Sequence, residues 1–376
     1  MSPCAVPIDP EPRLRDHTAM NEPTPIAHRV FERIAPQSWE HPADRAALQT
    51  LRAVPGFDQV IKRTVGIFGE TGIRTTFQAN AVLVGRNQYQ HLDRLKLEVQ
   101  AALDWPAEVP LFVTQAPWFN AGAYGVERPF IVLNGATLDI LDENELRVVL
   151  GHELGHVMSG HSLYRTMLAL ILAFGLHSLP FLAGIALLPI RLALQEWSRK
   201  SELSADRAAL LVCSNLDHAL SMFMKAAGGT VTQQQALNLA AYKEQVDDYK
   251  RGAGIDTFFK LLNLLGQTHP FHTLRAAALL EWSDTDDYRS ILAGDYRRRG
   301  ETQAPTQFSA DMGEAASYYT GEVREKAGEV SDAARVVAKK AAAQAKQVAG
   351  DATSALKAVA EGAAWRIGEA LRRGGK

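Results

Sequence analysis

The spacing of apolar residues changes along the chain, and each change predicts a different element. Residues 44–54 and 57–69 carry apolar side chains at three- and four-residue steps, which is typical of helices and predicts a small helical lead-in. The same spacing over residues 90–103 predicts a further amphipathic helix.

Three shorter runs around that helix predict strands. Residues 80–85, 109–114 and 129–134 are apolar, short and bounded by turn-forming residues. The segment APWFNAGAYG, between the last two runs, contains glycines and Asn120, which suit a turn.

A start signal predicts the next helix. In LDENELRVVLGHELGH, Asp142 can accept hydrogen bonds from the free amides of the first turn, while Glu145 reaches back as in a capping box. Apolar residues then recur at three- and four-residue steps and give the helix a face to bury, namely Leu146, Val149, Leu150 and Leu154.

This helix carries polar groups with a definite chemistry. His152 and His156 are four residues apart, so both imidazoles lie on one helix face and can bind one metal ion. Glu153 is placed to take a proton from a water molecule that attacks a carbonyl. Gly155 leaves room for another segment to approach. The alternative is a solvated helix face that binds no metal.

A catalytic zinc site needs a third protein ligand. His161 comes one residue too early for the HExxHxxGxxH pattern, and we interpret it as a surface residue. Glu202, in SRKSELSADRAALLVC, opens a new helical pattern and can give a carboxylate oxygen to the metal. Asp206, one turn later, can accept a hydrogen bond from a ligand imidazole. Such acidic pairs are also common on solvated helices.

The motifs HELGH, SELSAD and THPFHTLRAA, in this order, resemble the M48 family of zinc metallopeptidases over residues 80–280. The resemblance implies an α+β, predominantly helical fold, with a zincin-like core made of a small sheet and an HExxH active-site helix. It also implies one Zn²⁺ per chain, bound by His152, His156 and Glu202. In the last motif, His269 and Arg275 are expected to lie over the active site and to stabilise the oxyanion. The alternative is that His269 caps the helix beginning near Phe271.

The resemblance also implies that a peptide substrate adds to a sheet edge. ERPFIVLNG is the candidate edge strand, because Pro129 suits an edge, and NAGAYG is expected beside it. The alternative is a plain core strand. The predicted substrate-binding residues are Asn120, Ala121, Phe130, Ile131 and Val132.

An apolar run over residues 167–194 separates the two ligand motifs. A single membrane crossing there would place His156 and Glu202 on opposite sides of a bilayer, which a shared metal ion forbids. Polar and proline residues at 177–180 predict a turn instead, and hence a helical hairpin that dips into a membrane or packs on a partner. The alternative is a hairpin buried against the domain or in a dimer interface.

Composition narrows the class of protein. The chain has 376 residues, of which 47% are hydrophobic, enough for one large core or two smaller ones. A net charge of −2 gives no attraction to nucleic acid. The two cysteines, Cys4 and Cys213, match no ligand spacing and indicate a reducing compartment. The first residues contain no secretion signal, so we expect a cytoplasmic protein associated with the cytoplasmic face of the membrane.

Four segments are predicted. Residues 1–26 form a mobile leader, 27–79 the helical lead-in and 80–300 the metallopeptidase domain. Residues 301–376 are rich in Ala and Lys and form an amphipathic helix on anionic lipid or a solvated, partly disordered tail.

The predicted function is zinc-dependent hydrolysis of internal peptide bonds in unfolded or membrane-associated proteins, of the protein quality control type. Peptides or unfolded proteins are the expected partners, with membrane contact through 167–194 and the tail. The competing hypothesis is a non-enzymatic membrane or stress-response scaffold that retains a zinc-binding fold.

Overall fold

The computed structural model describes residues 29–174, 187–251 and 271–301. These described residues form an α+β structure in which helices predominate and one small sheet is present. In chain order the elements are α1 (Pro42–Arg52), α2 (Phe57–Gln78), β1 (Ala81–Leu83), α3 (Gln90–Ala102), β2 (Leu111–Thr114), β3 (Ala121–Tyr124), β4 (Phe130–Asn134), α4 (Gly135–Ile140), α5 (Glu143–Met158), α6 (Ser162–Phe174), α7 (Leu187–Cys213), α8 (Leu216–Gly228), α9 (Leu239–Arg251), α10 (His272–Ser283) and α11 (Asp286–Ala293).

The helical lead-in predicted from residues 44–69 is confirmed as α1 and α2. The side chain of His41 caps α1 by accepting a hydrogen bond from the amide of Ala43. Helix α2 continues beyond the predicted end, but its helical geometry breaks at Gly69, which has a φ of 58°. The predicted limit at residue 69 therefore coincides with this break.

The sheet has the strand order β1-β2-β4-β3. Strand β1 is antiparallel to β2, β2 is parallel to β4, and β4 is antiparallel to β3. The prediction that residues 129–134 form an edge strand was wrong, because β4 lies between two neighbours and is buried along its whole length. Pro129 precedes the strand and takes no ladder position. Residues 121–124 lie in the segment predicted as a turn but form the terminal strand β3, which confirms the expectation that this segment lies beside residues 129–134.

Helix α5 begins as its sequence predicted. Asp142 accepts hydrogen bonds from the amides of Asn144 and Glu145, and the Glu145 carboxylate accepts one from the amide of Asp142, which completes the capping box. Glu145 is buried and also accepts hydrogen bonds from Ser221 and Lys225 of α8. The start of the motif helix is thereby fixed to the rest of the core.

Helices α5 and α7 pack very closely because α5 presents two glycines to α7. A Cβ atom added to Gly155 would lie 2.7 Å from Cβ of Ala208, and one added to Gly151 would lie 3.0 Å from Cβ of Val212. Both distances are shorter than carbon atoms normally allow. The expectation that Gly155 leaves room for a neighbouring segment is confirmed, and that segment is α7.

Helix α7 joins two apolar clusters. Its C-terminal part, including Ala208 and Leu211, packs in the main core with α3, α5, α8, α10 and one face of the sheet. Its N-terminal part, including Ile190 and Trp197, packs in a second cluster with α1, α2 and α6. The stretch between the clusters is polar yet buried and carries Glu202. The prediction that a new helix opens at Glu202 was wrong, since α7 runs through it without a break.

The described parts of the apolar run at 167–194 are largely packed inside the protein, although Leu172 and Leu192 are exposed. Met167, Leu168 and Ile171 of α6 and Leu187 of α7 belong to the second cluster. Within the described ranges, no helix combines the length and apolar character needed to cross a membrane.

Several predictions fall on residues outside the described ranges. These are the leader at 1–26, the turn at 177–180, His269, and the tail from residue 302 onward. The division into four segments stays a prediction.

Candidate metal centre

Close packing of α5 on α7 brings three side chains of the two motifs to one point. Nε2 of His152 and Nε2 of His156 lie 3.2 Å apart. Each of these nitrogens is 3.3 Å from a carboxylate oxygen of Glu202, His152 from Oε2 and His156 from Oε1. All three ligand atoms lie within 4.8 Å of one another. Two imidazole nitrogens and one carboxylate oxygen are a donor set typical of zinc.

These three side chains are almost fully buried. His152 is 5% exposed, and His156 and Glu202 are 0% exposed. The alternative of a solvated helix face is therefore wrong, because water does not hydrate these groups. Buried polar groups that face each other need a proton, a hydrogen-bond network or a metal ion to compensate their lost hydration.

His152 is oriented by a carboxylate held in turn by an arginine. Nδ1 of His152 donates to Oδ1 of Asp206 at 2.9 Å, which leaves Nε2 directed at Glu202. Asp206 forms a two-point ion pair with Arg275, with distances of 2.6 and 2.8 Å. Arg275 also lies 3.1 Å from Oε2 of Glu202, and its guanidinium packs on the ring of Phe223. The Arg275 charge lowers the pKa of Asp206 although burial alone would raise it.

A second buried arginine, Arg165 of α6, reaches the same ligands. Its Nη1 atom lies 2.6 Å from Oε1 of Glu202 and 2.8 Å from Nε2 of His156. Burial would lower the pKa of Arg165, but the charges of Glu153 and Glu202 raise it. Sequence reasoning missed Arg165. The available signal was a single charge within the otherwise apolar stretch of α6, since a buried charge needs a partner.

The two ligand histidines hold protons differently. Burial would lower the pKa of His152, but the charge of Glu202 and hydrogen bonds to Asp206 and Glu202 outweigh burial and raise it to about 9. Burial and then the Arg165 charge hold the pKa of His156 well below its usual value. These shifts favour the protonated form of His152 and the neutral form of His156.

Glu153 lies next to the ligand cluster without belonging to it. Its Oε1 atom is 4.0 Å from Nε2 of His152, and the residue is 2% exposed. Its other oxygen, Oε2, is buried and has no hydrogen-bond partner among the described residues. A buried carboxylate oxygen with unused lone pairs can accept a proton from a molecule bound at the cluster.

The interpretation of His161 as a surface residue was wrong. His161 is 2% exposed, and its Nδ1 atom lies 3.0 Å from Nδ1 of His156. Gly160, with a φ of 70°, makes the turn after α5, and the amide of His161 then donates to the carbonyl of His156. This turn places the His161 side chain beside His156. Nε2 of His161 lies 3.2 Å from Oδ2 of Asp44 in α1.

The residues predicted to bind substrate separate into two groups. Phe130, Ile131 and Val132 are buried in the interior strand β4. Asn120 and Ala121 lie at the start of the terminal strand β3, where the backbone of Asn120 is held by the Thr137 hydroxyl. Only this second group lies on a strand that could accept an additional one.

Comparisons with known proteins agree with this geometry. The model of peptidase family M48 matches residues 87–283. A protein of Arabidopsis thaliana named plastoglobule-localized metallopeptidase 48, chloroplastic, is 32% identical over 268 residues, which cover 70% of this chain and 77% of that protein. No solved structure matches the chain. The family match contains α5 and α7 and begins after α1 and α2.

Proposed function

Because this chain belongs to peptidase family M48 and is a metallopeptidase, we propose that it is a zinc-dependent endopeptidase acting on unfolded polypeptides. The observation that carries the proposal is the buried convergence of His152, His156 and Glu202 beside Glu153. These three residues would hold the ion, and three protein ligands are the number that catalytic zinc sites use.

The donor set fits a divalent cation better than it fits hydrogen bonding alone. Arg165 donates to Nε2 of His156 and to the Glu202 carboxylate but does not serve Nε2 of His152, whereas a zinc ion would accept lone pairs from both nitrogens and the carboxylate. The chemistry that zinc supplies when bound is Lewis-acid polarisation of the scissile carbonyl and of the attacking water.

Glu153 is proposed as the general base and then the general acid. Its unpartnered Oε2 atom can take a proton from the attacking water and afterwards give it to the amine that leaves. The Glu153 charge raises the pKa of the buried cations Arg165 and Arg275, so both guanidinium groups lie close to the proposed base.

Arg275 is proposed primarily as a positioning residue. Its contacts with Asp206 and Glu202 engage Nε, Nη1 and Nη2, so all three nitrogens of the guanidinium already have acidic partners. The role toward the oxyanion predicted for Arg275 and His269 stays a prediction, and His269 lies outside the described residues.

The substrate is proposed to be an extended segment that pairs with β3. A terminal strand can add a further strand through backbone hydrogen bonds, which place few demands on substrate side chains and suit unfolded protein. Gly122 and Ala123 in the middle of β3 are buried, whereas Ala121 and Tyr124 at its two ends are partly exposed. Location at a membrane stays a prediction.

Glu153→Gln tests the proposal. The variant is expected to bind one zinc ion per chain like the wild type and to lose about 10²- to 10⁴-fold in kcat on a labelled unfolded polypeptide. Glu143→Gln is the matched control, because Glu143 lies on the same helix but is exposed at its first turn. Equal turnover by Glu153→Gln and the wild type would remove Glu153 as the base, and absence of zinc from the wild type would remove the metal assignment.

A further inference from the structure

A chain of three buried side chains connects the metal cluster to α1. Nδ1 of His156 lies 3.0 Å from Nδ1 of His161, and Nε2 of His161 lies 3.2 Å from Oδ2 of Asp44. His156 is 0% exposed, and the other two are each 2% exposed. Water therefore does not substitute for any contact in this chain.

The proton positions on these three side chains are fixed once His156 binds a metal through Nε2, so the inference rests on the proposed function. Nδ1 of His156 then carries its proton and donates to Nδ1 of His161, which must accept. The proton of neutral His161 consequently lies on Nε2, where it donates to the Asp44 carboxylate. Each donor in the chain meets an acceptor.

Asp44 and His161 are both held in place by helix α7. The Ser204 hydroxyl of α7 donates to Oδ2 of Asp44 at 2.6 Å and accepts the amide of His41 at 2.9 Å. The His161 ring packs edge-on against Trp197, with ring centroids 5.3 Å apart. Ser204 is two residues from Glu202, so the same turn of α7 supports one end of the chain and supplies a metal ligand.

We propose that His161 and Asp44 are positioning residues that orient His156 for zinc. The two histidine ligands are then supported by different devices: Asp206 contacts His152 directly, whereas Asp44 acts on His156 through His161. Carboxylates that orient ligand imidazoles fix the tautomer and raise the basicity of the ligand. Helix α1, which precedes the range matched by the family model, is in this view part of the metal centre.

The experiment measures zinc affinity by competition with a chelator and uses the full-length protein. The proteins compared are the wild type, His161→Leu, His161→Asn, Asp44→Asn and the double variant His161→Leu/Asp44→Asn. The absorption spectrum of the cobalt-substituted protein reports the ligand geometry. Glu145→Gln is the control, because it weakens a buried hydrogen-bond cluster on the same helix far from the ligands. Thermal unfolding of each metal-free variant separates loss of stability from loss of affinity.

His161→Leu is expected to bind zinc about 10- to 100-fold more weakly and to alter the cobalt spectrum. Asp44→Asn is expected to weaken zinc binding in the same direction while preserving the shape of the side chain. His161→Asn should recover part of the loss, because its amide oxygen can still accept from His156. Asp44→Asn should cost nothing further in the His161→Leu background, since the connecting member is already absent. Glu145→Gln should lower the unfolding temperature and leave zinc affinity unchanged.

Three results would overturn the inference. The first is wild-type zinc affinity in Asp44→Asn or in folded His161→Leu. The second is a double variant whose two losses multiply, because His161 and Asp44 would then act independently. The third is a loss of zinc affinity in Glu145→Gln equal to that in Asp44→Asn. Lowered stability of the fold would then be enough to explain the weaker zinc binding. A wild type that binds no zinc would instead overturn the proposed function.

Discussion

Arg165 donates to Glu202 at 2.6 Å, and the oxygen that it contacts, Oε1, is the one facing His156. A fixed cation and the proposed zinc ion therefore share one carboxylate. Without metal, the guanidinium compensates the buried charge of Glu202. With metal, two positive charges lie close together in a site that excludes water, where their repulsion is weakly screened.

Arg165→Met is expected to make the protein depend more strongly on zinc. The metal-free form should lose about 3 kcal/mol of unfolding free energy, because Glu202 and Glu153 lose a buried cation. Zinc affinity should rise about tenfold, since the competing contacts and the repulsion disappear. Thermal unfolding with and without a chelator measures the first effect, and chelator competition the second. Arg289→Met, at an exposed arginine on α11, should change neither.

Gly155→Ala is expected to destabilise the protein and weaken zinc binding, although alanine favours helix. The added Cβ atom would lie 2.7 Å from Cβ of Ala208 and push α7, with Glu202, away from the histidines. We expect a loss of about 1–3 kcal/mol in unfolding free energy. Adding Ala208→Gly removes the contacting atom and should restore most of the zinc affinity. A single variant as stable as the wild type would show that α7 does not need this close approach.

His41→Asn is expected to reduce the sensitivity of stability to acid. Burial, and then the charges of Arg207, Lys200 and Arg45, hold the pKa of His41 well below its usual value. As the pH falls, His41 therefore binds a proton more readily in the unfolded chain than in the folded chain. The stability contributed by neutral His41 is complete above about pH 6.5 and is lost as the pH falls below it.

Asparagine can still cap α1 but does not titrate in this range. Below pH 6.5 the unfolding free energy of the wild type should fall more steeply than that of His41→Asn, by at most about 1.4 kcal/mol per pH unit. Urea unfolding at several pH values between 7.5 and 5 measures both slopes. Parallel slopes would show that His41 is not responsible.

The sequence predicted those features that depend on neighbouring residues. The capping box and the helical spacing of His152 and His156 need only one or two turns of chain, and both occur as expected. The glycine at 155 predicted a close approach, and the ordered motifs indicated that Glu202 belongs near the histidines.

The features that sequence reasoning missed depend on distant contacts. Asp44 is separated from His161 by more than a hundred residues, so no local pattern connects them. The interior position of β4 depends on β3, whose alanines and glycine carry little strand signal. The continuity of α7 depends on its two ends packing in separate clusters, which compensates the buried polar residues between them.

Helix α7 contributes side chains to both apolar clusters, and Glu202 lies between its two apolar ends. If an ion is bound by Glu202 and by the histidines of α5, the part of the molecule containing α1, α2 and α6 cannot unfold without disturbing that metal site. Metal occupancy should therefore determine whether the two halves unfold in one step or in two.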